Sequence, residues 1–365
     1  MKTLRLVSAV FGILVLFTAG AAAQVSYTVS DLGTLGGVSS KAYGINNVGQ
    51  VVGEADNASG LVRAFLYNGG VMTDLGTVAG KPSFARAINS GGQITGFYDQ
   101  GGGNPEAFLY SGGAVSYLGT LGGFASFAFG INNSGTVVGG SVIPLPYYHA
   151  FQKTAGGFMT DLGTLGGSSS WSEGINSSGQ VVGAAATIAG WYHPFLYSGG
   201  AMSDLGTLGG ALTDSIATAI NDAGQIVGTA GISGVESHAF LYAGGSMTDL
   251  GTLGSGTYSV ARDINSIGHV VGSAKDGSGA DRAFIWDGAG GLKDLNSVLD
   301  ASGAGWTLQE ARGINDGGKI VGFGTIGGAT HAFLLTPVPE PATWIAVLGG
   351  VLGLGAIRLY SGRRR

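Results

Sequence analysis

Residues 161–167 read DLGTLGG, residues 171–183 WSEGINSSGQVVG and residues 193–202 HPFLYSGGAM, and at Asp204 DLGTLGG begins again. Self-similarity at such a spacing fixes an architecture before any local reading does. The Asn of the Ile-Asn pair recurs at Asn46, Asn89, Asn132, Asn176, Asn221, Asn265 and Asn315, in steps of 43, 43, 44, 45, 44 and 50 residues. The Phe of the AFLY run recurs at Phe65, Phe108, Phe151, Phe195, Phe240, Phe284 and Phe333. The Leu of DLGT recurs at Leu32, Leu75, Leu118, Leu162, Leu205, Leu250 and, in a weakened copy, Leu295. The chain therefore holds seven copies of one unit.

Each unit carries four short runs of strand character separated by Gly-rich punctuation. In the fourth unit these are Ser172–Asn176, Gln180–Ala184, His193–Tyr197 and Gly200–Gly206. Asn176-Ser177-Ser178-Gly179 suits a type I turn closed by a left-handed Gly, and Ser198-Gly199-Gly200 a second tight link, so the unit reads as two hairpins. One such sheet cannot bury both faces alone, and copies must bury them on one another. At this repeat length the fold expected is all-β, a seven-bladed β-propeller of four-stranded antiparallel blades. A β-solenoid, with one strand per turn, fits two hairpins per unit less well. Small residues at alternate positions of the first strand (Ala42/Gly44, Ala85/Ala87, Ala128/Gly130, Ala217/Ala219, Ala311/Gly313) suit the crowded centre of a ring.

The chain ends carry complementary deficits. Gln24–Gly33 supplies only a fourth-type strand, and the seventh unit stops after its third, so the N-terminal strand is expected to close the last blade and remove an open edge. Outside the propeller (24–336), residues 1–23 read as a signal peptide: Lys2 and Arg5 precede the apolar run Leu6–Phe17, and Ala21-Ala22-Ala23 fits small-residue cleavage. Residues 337–341 form a Pro-rich linker, 342–360 an apolar transmembrane segment, and 361–365 a basic cytoplasmic end.

There are no cysteines, so export brings no disulfide framework. Without residues 1–23 and 342–365 the body holds 11 basic against 22 acidic side chains, a balance that repels nucleic acid. The histidines His149, His193, His238 and His331 share one repeat position with Arg63, Glu106 and Arg282, and lie in different blades. They read as structural, because a metal needs several donors about one point. Asp31, Asp74, Asp161, Asp204, Asp249 and Asp294 read as Asx acceptors for the following turn. Asp276–Asp281 is the one oxygen-rich loop, without the spacing of an EF-hand. No cofactor or metal set and no catalytic residues are assigned.

Two further patterns bear on function. The variable first-strand position is Tyr43, Arg86, Phe129, Glu173, Thr218, Arg262 and Arg312. Three arginines at one level of a ring could clamp a carboxylate, with Glu173 as an acid or base. The chain lacks the Ser-x-Asp-x-Gly-x-Thr-Trp boxes of sialidase propellers, and blade-to-blade or solvated pairing is the expected role. Aromatic residues meanwhile gather on the second-to-third strand loops (Tyr98, Tyr147, Tyr148, Trp191, Tyr192) and on the blade-to-blade connections (Phe84, Phe124, Trp171, Tyr258, Trp306). These open on one side of a propeller, and Tyr98, Tyr147, Tyr148, Trp171, Trp191, Tyr192, Tyr258 and Trp306 are the candidate ligand-binding residues.

Pro339-Glu340-Pro341, the apolar segment and the basic cluster Arg358, Arg363, Arg364 and Arg365 together resemble the PEP-CTERM sorting signal of Gram-negative bacteria. The resemblance implies an exosortase as partner, transient anchoring in the membrane, and delivery to the cell surface or an exopolysaccharide biofilm matrix. The repeats resemble the HAF extracellular repeat family through His149-Ala150-Phe151, His238-Ala239-Phe240 and His331-Ala332-Phe333, and that likeness implies no catalytic activity. The reading is of an exported, non-enzymatic scaffold or binding module. A glycan-binding propeller and a carbohydrate-active enzyme are its alternatives.

Overall fold

Every Ile-Asn turn of the repeat closes a hairpin in the computed structural model, which describes residues 25–76, 80–209, 213–233, 236–288 and 290–338. In the fourth unit the Gly179 N–H returns to the Asn176 carbonyl at 3.1 Å with Gly179 at φ 78°, the left-handed closure the spacing calls for. Gly199 and Gly200 sit at φ 61° and 88°, a pair of left-handed residues that turns the second hairpin with the twist of its strands. Strands Gly166–Ile175, Val181–Thr187, Tyr192–Ser198 and Ala201–Asp204 result, the first longer than its sequence pattern suggests.

The described residues build seven four-stranded antiparallel sheets, a seven-bladed β-propeller that is nearly all β. Six sheets run in sequence order. In the seventh, Ser26–Asp31 lies beside Ala329–Val338, with Val29 opposite Leu335 and Asp31 opposite Phe333. The ring therefore closes as three strands plus one, as the two terminal deficits require. The long sixth-to-seventh step of the repeat also has its reason here: it contains two short 3-10 turns, Leu295–Val298 and Ala301–Gly303. They lie along the free edge of the closing strand, where Asp300 N–H donates to the Tyr27 carbonyl (2.9 Å) and Val29 N–H donates to Ser302 Oγ (2.8 Å). An edge that could template another chain is thus occupied.

Blades bury their faces on one another. The repeated phenylalanines are all 0% exposed, and Phe65 of the first blade shares a cluster with Val321 and Ala332 of the seventh. A second fastening runs around the ring. Each repeated asparagine donates its Nδ2 to the backbone carbonyl of the next one: Asn46 to Asn89, Asn89 to Asn132, Asn132 to Asn176, Asn176 to Asn221, Asn221 to Asn265, Asn265 to Asn315, and Asn315 back to Asn46, at 3.0 to 3.3 Å. The circuit is closed. Buried amide groups satisfied in this way tie each blade to its neighbour at a fixed height.

The signal segment 1–23, the sorting motif Pro339, Glu340 and Pro341, the apolar stretch 342–360 and Arg358, Arg363, Arg364 and Arg365 lie outside the described residues. Among the described residues no helix is long and apolar enough to cross a membrane.

Candidate functional site

All seven first strands share a bulge at the same repeat position. Ala42 pairs with Gly53 and Gly44 with Val52, which leaves Tyr43 as the extra residue, and the same shift flanks Arg86, Phe129, Glu173, Thr218, Arg262 and Arg312. A bulge leaves one residue unpaired and re-aims it. All seven variable residues line one central cavity of about 630 Å³. The neighbouring columns divide the remaining work: Ala42 is fully buried against the preceding blade, whereas Gly44 borders the cavity.

The cavity includes Phe127, Ile216, Tyr258 and Val260, which come from the starts of first strands. It therefore opens on the side of the blade-to-blade and second-to-third loops. Toward the other end, Ile45, Ile88, Ile131, Ile175 and Ile220 are shared with a smaller space of about 200 Å³ bordered by Asn46, Asn89, Asn132 and Asn176 of the asparagine circuit. The channel thus passes from a polar chamber through an isoleucine collar.

Charge in the chamber is paired, between blades and within one strand. Arg86 Nη1 is 3.4 Å from Glu54 Oε2, and the guanidinium lies over the Tyr43 ring at 4.0 Å. Glu310 Oε1 is 2.6 Å from Arg262 Nε and 2.9 Å from Arg312 Nε. The blade-to-blade pairing expected of the arginines is present for Arg86 and Arg262, whereas Arg312 meets Glu310 of its own strand, so that one carboxylate serves two arginines. Glu54 Oε2 and Arg312 Nε nonetheless make no hydrogen bond among the described residues. Burial, then the charge of Arg262, lowers the Arg312 pKa from its ordinary value.

Two acids remain. Burial pushes Glu173 up to about 7, against the pull of Arg262, Arg312 and Arg86. Asp263 is also pushed up to about 7 by burial, although it accepts the N–H groups of Ile264 (2.8 Å) and Ile314 (2.9 Å). A raised acid holds a proton in the folded chain at a pH where the unfolded chain has released it. Its neutral form therefore favours folding fully at acidic pH, and that advantage fades as pH rises through 7. Glu173→Gln should match the parent protein in thermal stability near pH 4 and exceed it near pH 8. Melting both proteins across that range checks this, and an equal gain at both ends would remove Glu173 as the titrating group.

Aromatic side chains form one wall. Phe97 stacks on Phe84 (4.9 Å) and meets Phe127 edge-on (4.8 Å), and Phe127 lies parallel to Phe129 (6.0 Å) and tilted to Tyr148 (6.0 Å). Of the loop aromatics read as ligand-binding, Tyr258 lines the cavity. Tyr147 and Trp191 are exposed (43% and 38%), Trp171 packs with Tyr192 at 4.7 Å, and Trp306 packs edge-on against Phe333 at 6.3 Å. Tyr98 is 7% exposed, with its hydroxyl donated to Glu106 at 2.7 Å. The exposed pair thus stands apart from those that support the loops from below.

The repeated histidines face the repeated aspartates across the outer two strands. Nδ1 of His149, His193, His238 and His331 lies 2.7 to 2.9 Å from Asp161, Asp204, Asp249 and Asp31. The other carboxylate oxygen accepts the N–H of the following Gly, as Asp161 does from Gly163 at 2.8 Å, which is the Asx role read from the sequence. In the 276–281 loop, Asp276 Oδ1 accepts the N–H groups of Ser278 and Ala280 while Oδ2 meets Arg282 at 3.0 Å. That carboxylate is already engaged.

Glu54, Glu310 and Asp263 were not singled out from sequence. Asp263 had a signal: it stands where the other units carry Gly44, Ala87, Gly130, Gly174, Ala219 and Gly313. Glu54 and Glu310 occupy two further columns that vary among otherwise repetitive units, filled elsewhere by Phe97 and Phe127, for example.

Residues 202–333, about a third of the chain, match a family of proteins of unknown function, DUF3466. No curated protein matches in sequence. Among solved structures, the WD40 β-propeller domain of Doa1 is similar at 15% identity and TM-score 0.50, over 86% of this chain and 98% of that one. Puromycin hydrolase is similar at 15% identity and TM-score 0.50, over 75% of this chain and 47% of its own. TolB from Acinetobacter baumannii is similar at 12% identity and TM-score 0.45, over 80% of this chain. The chain spans 64% of that TolB and about half of the hydrolase, and these likenesses concern the fold.

Proposed function

We propose that the protein is an exported, non-catalytic glycan-binding module. It is delivered through exosortase-type sorting at Pro339-Glu340-Pro341 to the cell surface or exopolysaccharide matrix. The observation that carries the binding reading is convergence: seven bulge residues, one from each blade, meet in a cavity that opens on the face where the loop aromatics gather. Loops and cavities on a rigid scaffold are where ligands are held. Export and sorting rest on the terminal segments of the sequence. Purified residues 24–338 should be retained on the exopolysaccharide of the native host, and the Tyr147→Ala/Trp191→Ala variant, which alters exposed side chains only, should be retained less. Absence of retention by the parent protein would end the glycan reading.

A second reading, a carbohydrate-active enzyme, draws on Glu173, whose pKa near 7 suits a general acid or base beside three arginines. Shortened glycan chains after incubation with the parent protein, and none with Glu173→Gln, would favour it.

A further inference from the structure

We infer that the central cavity takes the carboxylate of an acidic sugar, a uronic acid unit, against Arg262 and Arg312, with the sugar ring lying on the aromatic wall. This rests on the glycan-binding reading and narrows it to one ligand class.

The first support is donor capacity. Arg262 and Arg312 both meet Glu310 through Nε, and the described residues offer their Nη atoms no hydrogen bond. A guanidinium is a planar fork whose unused edge matches a carboxylate. Each side chain keeps 28% of its surface accessible, and both residues line the cavity. Two guanidinium edges without an acceptor among the described residues therefore border a space large enough to admit a ring.

Charge balance is the second. Behind the three arginines stand two carboxylates, Glu54 and Glu310, so one positive charge is left over. Glu173 and Asp263 are the remaining acids at the cavity wall, and burial favours the neutral form of both. Below pH 7, where both are protonated, the chamber can thus accommodate an anion without expelling one of its own. The anion would raise the proton affinity of Glu173, so its entry should draw in a proton.

The third is the shape of the opposite wall. Phe97, Phe127 and Phe129 present linked rings, and Arg86 stands over Tyr43 and 5.2 Å from Phe97. The C–H face of a sugar ring packs on such rings while its charged edge turns to the arginines. A neutral sugar would use only half of these features.

Calorimetry on residues 24–338 tests this with short oligomers of galacturonate, glucuronate and mannuronate, the methyl esters of the same oligomers, and a neutral glucan oligomer. At least one free acid should bind roughly tenfold to a hundredfold more tightly than its ester, as expected for charge-assisted hydrogen bonds lost. Arg312→Gln, folded by its melting transition, should reduce that ratio. Near pH 7 the binding enthalpy should depend on the ionisation enthalpy of the buffer, and Glu173→Gln should reduce the dependence, with Asp263 supplying what remains. Equal affinity for acid and ester overturns the inference and leaves the glycan reading intact. No binding of any acid, with retention on the host exopolysaccharide preserved, also overturns it. Loss of both removes the glycan reading as well. The acid-to-ester comparison on the parent protein needs no variant to fold.

Discussion

A chain lacking residues 25–33 is expected to lose its cooperative unfolding transition and to aggregate. The deleted strand supplies Tyr27 and Val29 to the cluster between the sixth and seventh blades and Leu32 to that between the seventh and first, each under 8% exposed. Burial of such side chains is worth about 1.5–3 kcal/mol each, and their sum approaches the 5–15 kcal/mol that holds a typical domain together. The loss extends to hydrogen bonds. His331 loses Asp31, and the Asp300 and Ser302 groups that cover the strand lose their acceptor and donor. Ala329–Val338 is then left as an open edge, which is a template for association. Light scattering and denaturant unfolding of the truncated protein read the outcome. A soluble truncation with the parent's midpoint would show that the ring does not depend on this closure.

Gly183→Ala should be the most damaging single methyl that can be added to the fourth blade. A Cβ at Gly183 would lie 2.1 Å from the Trp171 carbonyl oxygen and 2.7 Å from Ser172 Cα. The bulge brings the first strand this close, and the same approach recurs at Gly53, Gly96, Gly139, Gly228, Gly272 and Gly322, where the added atom would lie 1.9 to 2.0 Å from a backbone oxygen. Backbone cannot swing aside as a side chain can, so the strand pair must separate. A cost of about 3 kcal/mol or more is expected, at the upper end for overpacking. The bulge that aims Glu173 should be lost with it, and ligand affinity should fall even where the protein remains folded. Gly291→Ala, where nothing lies within 4 Å, is the control and should change stability by less than about 0.5 kcal/mol. Equal stability for the two variants would show that the close approach is not required.

These two sites mark what the sequence could and could not disclose. The three rulers set by Asn176, Phe195 and Leu162 disclosed repeat number, hairpins and ring closure, because periodicity and turn chemistry are local properties. The bulge was hidden. Ala42 and Gly44 look like ordinary alternate positions until the partner strand shows that Gly53 and Val52 are adjacent. The asparagine circuit was hidden for a related reason: Asn46 marks a turn in its own blade, and its bond to the Asn89 carbonyl exists only once the ring is closed. Of the chamber, the seven variable residues were legible as a column, and Tyr258 was legible as a loop aromatic. Glu54 and Glu310 were not, since a carboxylate that neutralises an arginine of another blade leaves no spacing signal in the chain.

On the proposed function, the ligand is held by the chamber of the seven bulge residues rather than by the loop rim. Thr218→Trp tests it most directly. The position accepts large rings, since Tyr43 and Phe129 occupy it in other blades, so an indole there should fill space without unfolding the ring. Retention on the host exopolysaccharide should be measured for the parent protein, for folded Thr218→Trp, and for the rim variant Tyr147→Ala/Trp191→Ala. The chamber account predicts that Thr218→Trp loses retention nearly completely while the rim variant loses only part of it. Full retention by a folded Thr218→Trp protein would place the ligand outside the chamber.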